Sequence, residues 1–91
     1  MEKDQTKAAL LYHKAAVQGH DLAQAYLGIC HEHGKGVETN LVEAFAYYSL
    51  DKRNLESAKR LEGKLSSEQI TAGKMRASEL RDEIAAKKAG K

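Results

Sequence analysis

The stretch from Lys7 to Asp51, KAALLYHKAAVQGHDLAQAYLGICHEHGKGVETNLVEAFAYYSLD, decides the fold, because it contains one turn of a repeat and the start of the next. Ala8 and Tyr12 recur as Ala44 and Tyr48, and Ala23 and Gly28 recur, one residue short, as Ala58 and Gly63. The period is therefore 35 to 36 residues. A fixed period of this size marks a repeat architecture, in which each helix pair needs a neighbour to bury its apolar face. Stacked pairs present extended surfaces, and these usually bind other proteins.

Outward from this stretch the local preference is helical nearly throughout. Pro and Trp are absent and β-branched residues are sparse, while Ala, Leu, Lys and Glu are abundant. Gly19, Gly34, Gly36 and Gly63 each follow an apolar-periodic stretch, where a left-handed helix end needs a residue without Cβ. The pattern predicts five helices, at 5–18, 21–33, 41–53, 55–64 and 67–88. Asn40 with Glu43 has capping-box spacing at the third start. Ser66 with Gln69 repeats it at the fifth, where Leu65 and Ile70 form a hydrophobic staple. In the last helix Ile70, Gly73, Ala77, Leu80 and Ile84 share a narrow seam, which suits a helix packed across the end of a stack. Lys87 to Lys91 is expected to fray into solvent.

Four motifs in order carry a family resemblance. They are Lys14-Ala15-Ala16-x-Gln18-Gly19-His20, Ala23-Gln24-x-x-Leu27-Gly28, Gly34-Lys35-Gly36-Val37, and Glu43-Ala44 followed by Tyr47-Tyr48. Over about half the chain this resembles the Sel1-like repeat, a relative of the tetratricopeptide repeat. The resemblance implies an all-α fold, a short α/α solenoid of antiparallel helix pairs, closed here by a longer C-terminal capping helix. It divides a single domain, 1–91, into the second helix of an incomplete repeat (5–18), a complete repeat (20–53) and a degenerate repeat with its cap (54–91).

The same resemblance points to function. In the family the first helix of each pair lines the concave surface, and its variable positions choose the partner. Here that helix carries Leu22, Tyr26, Ile29 and His33 on one stripe, and these are the expected protein-binding residues. Leu22 and Tyr26 stand where the family often has polar residues, and Ala25 where it often has Tyr. Either the aromatic has slipped by one residue and still packs in the core, or the stripe is an exposed apolar ridge. A non-enzymatic adaptor for a protein or peptide is the leading expectation. The alternative is self-assembly or capping, with Leu10, Leu11 and Ala15 left under-covered on the first helix and completed by a second copy or a longer array.

Charge and composition exclude other classes. The net charge of +2 is too small to argue for nucleic acid, but it is unevenly placed, at −3 over residues 1–51 and +5 over 52–91. Lys52, Arg53, Lys59, Arg60 and Lys64 are best read as a solvated face; the alternatives are an acidic partner or head-to-tail contact between copies. The basic half carries no aromatic platform for stacking bases. No apolar run approaches a membrane span and no signal peptide precedes the first helix, so the chain as it stands is expected in the cytoplasm. Cys30 is the single cysteine, which rules out an internal disulfide and the cysteine staple of some relatives.

Cys30, His31 and His33 form the one cluster suggestive of site chemistry, and their spacing converges poorly for a metal. Cys30 is better read as a small buried apolar residue, and His13 and His20 as surface or turn residues. Gly34-x-Gly36 follows a helix and lacks a third glycine, so it is a helix-joining turn and not a nucleotide loop. No catalytic residue, cofactor or metal is expected.

Overall fold

The computed structural model describes residues 2–89, with side chains from 5 to 87. Five α-helices follow one another: α1 (Glu2–Val17), α2 (Asp21–His33), α3 (Leu41–Tyr48), α4 (Leu55–Glu62) and α5 (Ser67–Ala89), with a 3-10 turn at Lys52–Asn54. Successive helices from α1 to α4 pack as neighbours, and α5 lies along α3 and reaches α1. This is the all-α short solenoid expected. The part of the Lys87–Lys91 tail beyond Ala89, and the side chains from Lys88 onward, lie outside the described residues.

The centre is α3, because from Ala44 to Tyr48 its sequence has no polar face to turn to water. Ala44, Phe45, Ala46, Tyr47 and Tyr48 are all buried. Ala46 and Tyr47 join Ala16, Ala23, Leu27, Ala77 and Leu80 in one cluster, while Ala44, Phe45 and Tyr48 join Ala58 and Leu61 in another. Thus a single short helix links both halves of the core. Two glycines let its neighbours come close. A Cβ on Gly28 of α2 would lie 2.6 Å from Tyr48 Cε1, and one on Gly73 of α5 would collide with the Phe45 ring. The buried amide of Gln24 donates to the Ala16 carbonyl at 3.2 Å, beside the Gly19 amide that reaches the same oxygen at 2.9 Å, and so ties α2 to the end of α1.

The starts of α3 and α5 show what capping chemistry each sequence carries. Ser66 Oγ accepts from the Gln69 amide at 3.1 Å while Gln69 Oε1 accepts from the Ser66 amide at 2.9 Å, a complete box. Leu65 and Ile70 pack against the same cluster, as a staple requires. Asn40 makes only half of one: its Oδ1 accepts from the Glu43 amide at 3.1 Å, but the Glu43 carboxylate turns instead to Arg76 Nε at 2.8 Å.

Two sequence expectations are corrected. The third helix ends at Tyr48, well before residue 53. Ser49 Oγ donates to the Phe45 carbonyl, Arg81 donates to the Ser49 carbonyl, and Asp51 caps the following 3-10 turn by accepting from the Arg53 amide. The Ser49 amide still completes the ladder to Phe45 at 3.0 Å, but the last two bonds take the Ser49 carbonyl and the Arg53 amide that a continued helix would pair with each other. Nor is every glycine a left-handed helix end. Gly19, Gly34 and Gly36 have φ of 94°, 70° and 78°, but Gly63 is right-handed at φ −66°. A Cβ there would meet only the Arg60 carbonyl oxygen, at an ordinary 3.5 Å. Gly63→Ala should therefore stabilise the domain by about 0.5 kcal/mol through the unfolded chain's lost freedom, read as a higher denaturation midpoint at unchanged slope.

Candidate protein-binding face

The stripe on α2 lies at the surface. Leu22 is 70% exposed and Tyr26 42%, His33 is exposed, and Ile29 is half-buried against the cluster around Phe45. The aromatic has therefore not slipped into the core. Tyr26 stacks on Tyr12 of α1, with ring centroids 4.9 Å apart and planes at 19°. Beside this pair a groove of about 330 Å³ runs between α1 and α2, lined by Gln5, Ala8, Tyr12, Tyr26, Ile29, Cys30 and Lys35. Its walls are mostly apolar, so a ligand seated there would gain chiefly from buried area.

On α1 the under-covered residues separate. Leu10 and Leu11 are 61% and 64% exposed, whereas Ala15 is half-buried and packs against the core cluster around Tyr47. Large apolar side chains in the open on so small a domain form part of a contact surface more readily than scattered ones do.

Behind the stripe, α2 is held by an ion pair invisible to motif reading. The Glu32 carboxylate, buried on α2, accepts from the Tyr48 hydroxyl at 2.9 Å and from the Arg60 guanidinium of α4, with Arg60 Nη2 to Oε1 at 3.0 Å. The Arg60 hydrogen bond holds its carboxyl down to about 2, against the opposing effect of burial. Burial and the same carboxylate push the Tyr48 hydroxyl up. Arg53 bridges Asp51 and Asp21, and Arg76 bridges Glu43 and Glu79. Arg53 and Arg60 are therefore not simply solvated. Three arginines of the basic half are paired with acids of the acidic half, so the charge asymmetry is partly consumed inside the chain.

The Cys30, His31 and His33 cluster comes apart. Cys30 borders the groove between α1 and α2, and burial pushes its thiol up, away from the reactive thiolate. His31 faces a different cavity, of about 350 Å³, whose lining includes His13, Glu43, Tyr47 and Arg76. It stacks on Tyr47 at 5.8 Å, and burial lowers its pKa against the opposing pull of Glu43. His33 sits 3.8 Å from the Glu32 carboxylate. His20 is exposed at the start of α2 and makes no side-chain cap. Among the described residues, no group of three or more His, Cys, Asp or Glu side chains is placed to hold a metal ion. No described helix is long and apolar enough to cross a membrane.

The family model described as Sel1 repeat matches residues 1–20 and 21–50, more than half of the chain. The chain belongs to the Sel1 repeat family. Among solved structures it is similar to a protective antigen present in uropathogenic Escherichia coli strains displaying an SLR fold. The identity is 28% and the TM-score 0.86, over 94% of this chain. The match spans 20% of that protein's length. No curated protein matches. Sel1 repeats form a non-catalytic helical scaffold that generally mediates protein–protein interaction.

Proposed function

We propose that this Sel1 repeat domain is a non-enzymatic adaptor that docks a protein or peptide, as a helix or an extended segment, on the stripe Leu22, Tyr26, Ile29 and His33. The observation that carries the reading is the exposure of Leu22 and Tyr26 on a helix whose other face buries Ala23, Leu27 and Cys30. Exposed apolar side chains beside a groove are what an interface centre is made of, and a few such residues supply most of the binding free energy. The reading divides the chain as the repeat period does, with a complete repeat at 20–53, and places the docking face on its first helix.

The test is direct. Helical peptides selected against the domain should bind Leu22→Ala/Tyr26→Ala at least about ten-fold more weakly. Leu22→Ala alone should leave the thermal midpoint nearly unchanged, because the side chain is mostly in water. Equal affinity for the double variant would overturn the reading. The exposure of Leu10 and Leu11 supports a second reading, homodimerisation through α1 with Ala15 at its edge. Light scattering over a concentration series separates them, a dimer lost in Leu10→Asp/Leu11→Asp favouring assembly.

A further inference from the structure

The repeat relates α1 to α3 by 36 residues, which makes Tyr12 and Tyr48 counterparts in the same fold. Tyr48 is fully engaged. Gly28 of α2 lets its helix reach the ring, Ala58 and Leu61 of α4 pack on it, and its hydroxyl donates to Glu32, four residues after Gly28. Tyr12 has only part of this environment. Tyr26 stacks on it, in the register position that Leu61 holds in α4. Its hydroxyl makes no hydrogen bond among the described residues, and beside it the groove stands open. The neighbouring pair shows the same contrast: Leu11 is 64% exposed where its counterpart Tyr47 is 2%.

We infer that the groove beside Tyr12 takes an amphipathic helix from a separate partner protein, one bearing glycine with a glutamate four residues later. The inference rests on the proposed docking face, with which the groove shares Tyr26 and Ile29. The α2–α3 interface supplies the chemistry one repeat further on: a small residue that admits the Tyr ring, then a carboxylate that accepts its hydroxyl. A larger residue at the small position would be held off by the ring, as a Cβ on Gly28 already meets Tyr48 below contact distance. Lys35, exposed on the groove's rim, adds a positive charge that favours the incoming glutamate.

The probe is a synthetic peptide with the sequence of residues 20–36, stapled on its outward face because an isolated helix of this length is marginal in water. Titrated into the full chain, it should bind saturably. Tyr12→Ala should cut affinity at least ten-fold and Tyr12→Phe, which keeps the ring and the packing, about three-fold or more; Leu22→Ala should change it less than two-fold. A peptide carrying Gly28→Leu should not bind. Equal binding by that peptide, absence of saturable binding, or loss with Leu22→Ala but not with Tyr12→Phe would overturn the inference. The last result would leave the Leu22 stripe standing as the docking face. A chain that dimerises by itself through Tyr12, seen in sedimentation, would overturn it in favour of a second copy.

Discussion

Glu32→Ala should destabilise the domain by about 3 kcal/mol and lower its thermal midpoint by roughly 15 °C. The substitution removes the acceptor for the buried Tyr48 hydroxyl and the anchor that Arg60 reaches across from α4. Arg60 is about half exposed and recovers water when released, so the loss falls at the lower end of what breaking a buried pair costs. Glu32→Gln keeps an acceptor for Tyr48 and should cost about half as much. Acid is the second readout. The carboxyl is lowered from the usual 4.5 to about 2 in the folded chain, so its contribution is complete above pH 4.5 and is lost as pH falls toward 2. Wild type should therefore lose stability steeply over that window, and Glu32→Gln should not show this part of the slope. Parallel acid profiles for the two proteins would mean that the pair carries no net stability.

Gly28→Leu should cost about 3 kcal/mol, although leucine is the better helix former by nearly 1 kcal/mol. The reason is local: Tyr48 occupies the space a side chain would need, and its ring is fixed by Glu32 at the hydroxyl. Combining the substitution with Tyr48→Ala opens that space, so the double variant should be at least 1 kcal/mol more stable than the sum of the single effects predicts. Gly73 and Phe45 form a second close contact of this kind between α5 and α3, and should behave in the same way. Strict additivity in urea melts would show that the glycines are tolerated rather than required.

The contrast between these two sites explains how much was legible beforehand. Gly28 was visible because the repeat marks it, and α3 was visible because AFAYY has no polar face to turn to water. The Ser66 box and the Leu65–Ile70 staple were visible because they are local, decided within five residues. Glu32, Arg60 and Tyr48 are far apart in sequence and belong to three helices, so no spacing rule joins them; only the packing of α2 and α4 around α3 does. The same distance hid the pairing of Arg76 with Glu43 and that of Arg53 with Asp21, and it is why Arg53 and Arg60 read as a solvated face. The early end of α3 follows from Arg81 and Asp51, whose side chains take the Ser49 carbonyl and the Arg53 amide that helical periodicity alone assigns to the ladder. At the candidate face, spacing placed Leu22, Tyr26, Ile29 and His33 on one stripe but not on which side of it the core lies. In the sequence Tyr12 is only a repeat marker; its place in the groove comes from the packing of α1 against α2.

Chemical-shift mapping on the isotope-labelled domain, titrated with a helical peptide selected against it, tests the central claim most directly. The account predicts that the amides and side chains of Leu22, Tyr26, Ile29 and His33 shift together and saturably, with α4 and the outer face of α5 unmoved, and that Leu22→Ala/Tyr26→Ala abolishes the pattern. Shifts confined to α4 and α5, unaffected by that double substitution, would contradict it.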